Sequence, residues 1–201
     1  TAVAEHPDEA ADIYYAKALL HHREDETDAA EASLVKALEA DPDHAPSNND
    51  LGYTWADAGR NLERAKEMIS NAVAAKPREA AYLDSLGWVH YKLGEFEQAA
   101  ARLEEARSLP GGGDPVILDH LGDALWRLGR EGEAVQQWRA ARRSAMAQVQ
   151  GAGDQLPETA LAQYRRVAET AEAKLKAVQA DEPPQLAPVP GPAEEGGDEG
   201  G

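Results

Sequence analysis

The ten residues DPDHAPSNND, at 41–50, place three carboxylates, an imidazole and two amides close together. A calcium-binding loop needs oxygen ligands at alternate positions, followed by a glycine and a more distant glutamate. Asp41 and Asp43 fit the start of that pattern, but Ala45 and Pro46 break it. The stretch is better interpreted as a turn between helices, in which a proline ends the first helix and Asp43 caps the next one.

Other residues that could do chemistry do not form a known catalytic motif. His21 and His22 precede the acidic run REDE, but adjacent helix residues point about 100° apart and cannot easily share one metal ion. The patterns H-E-x-x-H, G-x-S-x-G, the P-loop and the dinucleotide glycine motif are absent. We interpret the histidine pair as a solvated helix end, His90 as a packed histidine, and His44 and His120 as isolated. The sequence therefore predicts no catalytic residue, no metal and no cofactor.

Composition and charge restrict the class of partner. The net charge is −17, hydrophobic residues make up 42% of the chain, and cysteine is absent. Residues 1–75 carry 16 acids and 6 bases, whereas residues 127–180 have a net charge of +3. This balance argues against nucleic acid and anionic membrane surfaces as partners, and no apolar run is long enough for membrane insertion. Because the chain begins at Thr1 rather than Met, we expect it to be a piece of a longer protein.

The chain is internally repetitive. The segments NNDLGYTWADAG (48–59), LDSLGWVHYKLG (83–94) and LDHLGDALWRLG (118–129) align with a period of 35 residues. Each contains a Leu-Gly pair, a second glycine seven residues later, and then an alanine-containing helical pattern. A degenerate copy of the same pattern precedes them. A glycine within a helix costs about 1 kcal/mol relative to alanine, so the repeated glycine predicts a close approach of the paired helix and its small alanines.

These markers resemble the tetratricopeptide repeat, a helix–turn–helix unit of about 34 residues with the pattern W-x2-L-G-x2-Y, A-x3-F and P. The resemblance implies an all-α protein, a right-handed α-solenoid of four helix hairpins. The predicted array spans residues 8–149, with units at about 10–43, 44–78, 79–113 and 114–148.

Two segments follow the predicted array. Residues 155–180 carry apolar residues at alternating spacings of three and four, which predicts an amphipathic capping helix that docks on the last repeat. An exposed helix that awaits a partner is the alternative. Residues 181–201 are rich in proline, glycine and acids, which predicts a disordered tail.

The resemblance implies that the first helix of each unit lines a concave groove that binds an extended peptide. Carboxylates and amides would meet the peptide backbone there, and aromatic rings would meet its side chains. The alternative is that the acids favour helix N-termini and that the tryptophans pack between helices. The predicted groove residues are Tyr15, His22, Asn49, Tyr53, Asp84, Trp88, Tyr91, Lys92, Asp119, Asp123, Trp126 and Arg127.

A narrower resemblance suggests a setting for this groove. The strings LGYTWAD, LDSLGWVHYKLG and DPVILDHLGDALWRLG are similar to the C-terminal repeats of large proteobacterial tetratricopeptide proteins. That group includes envelope lipoproteins that act as adaptors of a carboxy-terminal processing protease. The resemblance implies a non-catalytic scaffold on the periplasmic side of the outer membrane, with a protease or its substrates as partner. The alternatives are a cytoplasmic location and a repeat appendage of an enzyme, such as a metalloprotease, whose catalytic domain lies upstream of Thr1.

Overall fold

The computed structural model describes residues 7–151 and 156–190, and over these ranges the chain forms nine helices and no strand. The helices are α1 (Pro7–Arg23), α2 (Thr27–Ala40), α3 (Ala45–Asp57), α4 (Leu62–Ala75), α5 (Ala80–Lys92), α6 (Phe96–Ser108), α7 (Pro115–Arg127), α8 (Glu131–Gly151) and α9 (Glu158–Gln179). None of the described helices is long and apolar enough to span a membrane.

Consecutive helices pair into four hairpins, α1/α2, α3/α4, α5/α6 and α7/α8, and each hairpin packs on the next one along the chain. The first helices also contact one another, α3 with α5 and α5 with α7, so that they share one face of the stack. The predicted all-α solenoid is confirmed. The alanine, isoleucine, leucine and tryptophan positions marked by the repeat pattern on the second helices are buried, and they contribute to successive hydrophobic clusters along the array.

The glycine in the first helix of the second, third and fourth hairpins marks a close approach of the two paired helices. A Cβ atom added at Gly87 would lie 2.5 Å from Leu103 Cγ and 3.2 Å from the carbonyl oxygen of Ala99. At Gly122 the same atom would lie 2.4 Å from Trp138 Nε1. The predicted close approach is confirmed, but a large side chain fills the space over the glycine, and the alanine contributes its backbone carbonyl.

The second glycine of the second, third and fourth units lies in the turn between the paired helices. Gly94 has a φ of +78°, a backbone conformation that side chains with a Cβ rarely adopt, and the equivalent glycines behave alike. The turn at 41–50 differs from its prediction in one residue. The N-cap of α3 is His44, whose ring accepts a hydrogen bond from Ser47 N, whereas Asp41 accepts one from Asp43 N. Asp43 is therefore not the cap.

Helix α8 runs to Gly151, and α9 folds back against α8 and also contacts α7. The buried residues of α9 include Val167, Ala171 and Leu175, which join the core cluster around Trp138 and Ala141. The helix therefore covers the apolar face of the fourth hairpin in this structure.

Residues 183–190 follow α9 as an extended segment, which we call the C-terminal strap. Leu186, Ala187 and Val189 pack against the core cluster, and the Pro190 ring lies against Gly59 at the end of the second hairpin's turn. The strap thus differs from the predicted disordered tail, because its backbone and apolar side chains use surfaces that the array supplies. Residues 191–201 of that predicted tail lie outside the described residues.

Candidate functional site

The shared face of the first helices is a groove that contains two cavities. The N-terminal cavity has a volume of about 460 Å³ and lies between α1, α3, α5 and α7, with α9 at its far edge. The C-terminal cavity, of about 600 Å³, lies over α5 and α7 and is walled by α9 and the strap. Tyr53 lines both cavities, so the two spaces share one groove.

The N-terminal cavity brings together four predicted residues, His22, Asn49, Tyr53 and Asp84. Asn49 is 7% exposed, and its amide donates to Asp50 Oδ1 at 3.0 Å. Its own Oδ1 is buried and has no hydrogen-bond partner among the residues that the structure describes. Tyr15 lies behind this pair and donates to Asp50 Oδ2 at 3.1 Å. The cavity wall therefore holds a buried acceptor that the fold leaves unsatisfied, which is uncommon in proteins.

Carboxylates dominate the electrostatics of the N-terminal cavity. They are Glu31, Asp50, Glu79, Asp84 and Asp114. Burial raises the pKa of Asp50 and that of Asp114. An elevated carboxyl pKa means that the site disfavours its own negative charge, and a cationic group brought into the cavity would relieve that cost.

The middle of the groove is closed by a stack of rings. The Trp88 ring lies 3.8 Å from the His120 ring and 5.0 Å from the Tyr91 ring, measured between centroids. Trp88 Nε1 donates to Asp57 Oδ1 at 3.1 Å, and only 4% of Trp88 is exposed. This tryptophan is therefore a packing element between neighbouring helices, with only an edge left to the C-terminal cavity.

His120 is held by Asp84, with 2.9 Å between His120 Nδ1 and Asp84 Oδ1. Burial disfavours the charged imidazole, but the carboxylate of Asp84, together with those of Asp119 and Asp123, outweighs this effect, and the pKa of His120 is raised. Lys92 is buried beside the stack, where its ammonium donates to Asp57 O at 3.0 Å. Burial lowers the pKa of Lys92.

The C-terminal cavity has a buried cation at its wall. Lys174 of α9 lies 2.9 Å from both carboxylate oxygens of Asp119 and 2.6 Å from Asp123 Oδ1. Trp138 Nε1 also donates to Asp123 Oδ1, at 3.0 Å. Burial alone would lower the pKa of Lys174, but the two carboxylates raise it. For Asp119, burial raises the pKa of the carboxyl group. These charges hold α9 across the end of the groove.

Ala187 of the strap is bound through its backbone by three predicted groove residues. Its N–H donates to Asp123 Oδ2 at 3.2 Å, and its carbonyl accepts from Tyr91 Oη at 2.9 Å and from Arg127 Nη2 at 3.4 Å. Arg127 Nε also donates to Tyr91 Oη at 3.3 Å, which orients the hydroxyl. The groove therefore holds an extended backbone in this structure.

The remaining predicted residues are not brought to a cavity wall. Trp126 packs against the Trp138 ring at 5.4 Å, Lys92 is enclosed beneath Trp88, and Tyr15 stands behind Asp50. Sequence reasoning missed Asp50, His120 and Lys174. A signal for Lys174 exists, since Tyr164, Val167, Ala171, Lys174 and Val178 are spaced by three and four along one stripe of α9.

Of the residues that the structure describes, His21, Glu24 and Glu26 bring three potential metal ligands within 4.8 Å of one another. The two glutamates are exposed, and His21 Nδ1 already lies 2.6 Å from Glu26 Oε2. This geometry fits the predicted helix end, in which an imidazole pairs with a nearby carboxylate.

Comparison with known proteins gives a family for part of the chain. Residues 11–44, which cover most of α1 and all of α2, match the family model of the tetratricopeptide repeat. The chain is 33% identical over 111 residues to the TPR repeat-containing protein PA4667 of Pseudomonas aeruginosa strain PAO1. That match covers 55% of this chain and 18% of the relative, so the chain spans less than a fifth of the relative's length.

Solved structures agree with the fold. A structure of PilF from Pseudomonas aeruginosa is 22% identical, with a TM-score of 0.57, and the match covers 87% of this chain and 86% of that one. PilW is 19% identical with a TM-score of 0.58, over 85% and 78% of the two chains. YrrB is 22% identical with a TM-score of 0.56, over 90% and 95%. Residues 11–44 are therefore a tetratricopeptide repeat, and the chain has the all-α solenoid fold of tetratricopeptide repeat proteins.

Proposed function

We propose that the chain is a non-catalytic scaffold or adaptor that binds an extended segment of another protein in its concave groove. The observation that carries this proposal is the strap, whose Ala187 backbone is hydrogen-bonded by Tyr91, Asp123 and Arg127 on the groove face. The structure of YrrB is described as that of a TPR protein with an unusual peptide-binding site, which supports the same use of a similar fold.

The N-terminal cavity is the part of the groove that a partner would enter first. Its carboxylates and the unsatisfied Asn49 Oδ1 favour a segment that carries lysine or arginine. Opposite charge speeds association, and salt weakens it by screening. We expect a micromolar affinity, because an unfolded partner segment must be ordered on binding.

Site-specific photocrosslinking tests this proposal with a matched control. Leu19 lines the N-terminal cavity and is 43% exposed, whereas its neighbour Leu20 is 53% exposed and does not line it. A benzophenone amino acid at position 19 should crosslink to a protein from a bacterial envelope extract, and the same group at position 20 should not.

The crosslinking yield at position 19 should fall when Asn49→Leu removes the amide from the cavity wall, and also when the salt concentration is raised. Equal crosslinking from both positions, or a yield that neither change alters, would refute groove binding.

We further propose an envelope setting, with a carboxy-terminal processing protease or its substrates as partner. The support is the narrower sequence resemblance, together with the fold shared with PilW, which is described as a widely conserved type IV pilus biogenesis factor. Reading the complete gene for a lipidation signal upstream of Thr1, and capturing the protease with the purified chain, tests both parts. A complete gene without any export signal would favour the cytoplasmic alternative.

A repeat appendage of an enzyme is a second candidate function. The matched relative is much longer than this chain, since the match covers only 18% of it, so repeats of this type occur inside larger proteins. An H-E-x-x-H motif upstream of Thr1 in the complete gene would favour this candidate over the adaptor.

A further inference from the structure

The strap is recognised through the backbone of a single residue. Its polar contacts with the groove are the N–H and the carbonyl of Ala187, both of which are satisfied by groove side chains. The side chains of the strap contribute apolar contacts, because Pro184 is buried and Leu186, Val189 and Pro190 are half-buried. Pro183, Gln185 and Pro188 are exposed, and the first two lie at the edge of the C-terminal cavity. The groove therefore binds an extended apolar segment and accepts a hydrogen bond from one of its peptide N–H groups.

The receptor for this peptide group is built into the array. Asp123 is fully buried, and its Oδ1 is taken by Lys174 and Trp138, which leaves Oδ2 for the N–H of Ala187. Tyr91 is likewise buried, and its hydroxyl is oriented by Arg127. A donor and an acceptor fixed by the fold in this way are preorganised, which lowers the cost of binding an incoming chain.

The strap is held weakly enough to be exchanged. It makes a few hydrogen bonds from one residue, three of its eight residues are exposed, and it is joined to the array by a short link after α9. Its sequence PPQLAPVP favours the extended polyproline conformation in the free state as well, so binding orders it little further. A segment with the same chemistry on another protein could therefore take its place.

We propose that the part of the groove formed by Tyr91, Asp123 and Arg127 is a recognition subsite for an extended, proline-containing apolar segment of a partner protein. The segment has the form Pro–x–apolar–Ala–x–apolar–Pro, with the alanine N–H on Asp123 and its carbonyl on Tyr91 and Arg127. The strap occupies this subsite in cis, and a partner segment displaces it. This inference rests on the proposed function, and it adds the partner's chemistry and a built-in competitor.

A peptide competition with the full chain tests the inference. The probe is a fluorescein-labelled, end-capped peptide EPPQLAPVPG, which copies residues 182–191. The variant Ala187→Pro removes the N–H that Asp123 accepts and should release the strap. Gln185→Pro is the matched control, because Gln185 is exposed and its N–H makes none of the described hydrogen bonds.

The expected result follows from the tether. The short link after α9 gives the strap an effective concentration of roughly 1 mM at the subsite. If the strap and the probe each bind with a Kd of about 0.1 mM, the probe should bind the parent about tenfold more weakly than it binds Ala187→Pro. Gln185→Pro should behave as the parent does. A probe peptide that carries proline in place of its alanine should not bind the Ala187→Pro protein. The unchanged probe should not bind the double variant Ala187→Pro/Tyr91→Phe.

Three outcomes would overturn the inference. The first is equal affinity of the probe for the parent and for Ala187→Pro, and the second is no binding to Ala187→Pro while circular dichroism shows native helicity. The third is a parent that sediments as a dimer and an Ala187→Pro variant that sediments as a monomer, which would assign the subsite to a second copy of the chain. Crosslinks at position 19 report on the N-terminal cavity alone, so failure here is distinguishable from failure of the proposed function.

Discussion

Replacing Lys174 with methionine keeps most of the length and apolar contacts of the side chain and removes its ammonium group. That group lies 2.9 Å from Asp119 and 2.6 Å from Asp123, and the three side chains are 6%, 14% and 2% exposed. Without it, two carboxylates remain buried on one turn of α7 with no counter-charge. Removing one partner of a buried ion pair typically costs about 3–5 kcal/mol, because the remaining charge is left uncompensated.

Lys176→Met on the same helix provides the control. Lys176 is 71% exposed and pairs with Glu172 at 3.4 Å, an i,i+4 surface contact. Such pairs contribute about 0.3–0.5 kcal/mol, so the free energy of unfolding should hardly change. For a chain of this size, each kcal/mol shifts the melting temperature by about 2–4 °C, so Lys174→Met should lower it by about 6–20 °C and Lys176→Met by about 2 °C or less.

The pH dependence of the Lys174→Met variant should identify the cause. Burial already raises the pKa of Asp119 in the folded parent, and removal of the ammonium should raise it further. A group whose pKa is higher in the folded state takes up a proton on folding as the pH falls, so the variant should regain stability in acid relative to the parent. The assay is urea unfolding at pH 4.5 and pH 7.5. The reasoning is refuted if the two lysine variants lose equal stability, or if the deficit of Lys174→Met is the same at both pH values.

Three further predictions use the same unfolding assay. Gly87→Ala should destabilise the fold by about 1–3 kcal/mol through overpacking against the second helix. Gly132→Ala, whose added Cβ meets nothing within 4 Å, should stabilise it by up to about 1 kcal/mol. Similar effects at both glycines would contradict the close approach at Gly87. Because Asp84 raises the pKa of His120, the contribution of this ion pair to stability should be full below pH 6.5 and be lost as the pH rises through the folded-state pKa. His120→Gln should remove this pH dependence of the unfolding free energy. The same pH dependence in the parent and in His120→Gln would contradict this prediction. Removing residues 183–201 should lower the unfolding free energy by about 1–3 kcal/mol, because a buried carboxylate oxygen loses its N–H partner, and an unaltered midpoint would show that the strap contributes nothing.

The helix hairpins could be predicted because the repeat pattern records local packing. Gly87 and Gly122 stand where a second helix comes too close for a Cβ atom, and such a constraint depends only on residues within one unit. The fold class followed from the recurrence of that constraint at a fixed period. The cap of α3 shows the limit of this reasoning, since His44 and Asp43 are adjacent polar residues and either could accept the first N–H of the helix.

The candidate site was harder to predict, because its contacts join distant units. Trp88 lies on the predicted face, but whether it lines the groove or packs between helices depends on how closely α5 and α7 approach, and here His120 stacks on it. The partners of Lys174 are 51 and 55 residues away in sequence, and they are met only if α9 turns the stripe that carries Lys174 toward α7.

The strap escaped prediction for a different reason. Composition indicates whether a segment can build its own core, and DEPPQLAPVP cannot. It does not indicate whether the segment can lie on a surface that is already folded. The N–H and carbonyl of Ala187 find partners that the array holds in place, so the segment needs no core of its own.

The path of the strap has a mechanical consequence for the array. In a solenoid each unit contacts only its neighbours, so twist and curvature can change a little at every junction, as in a coiled spring. The strap starts at the end of α9, is fastened to α5 and α7 at Ala187, and reaches Gly59 beyond α3, with 96 residues between Ala187 and Tyr91. It therefore joins the second, third and fourth hairpins through its contacts at Ala187 and Gly59. A change of twist at the junctions between these hairpins would have to break one of those contacts, so a ligand that takes the place of the strap would also act on the twist of the array.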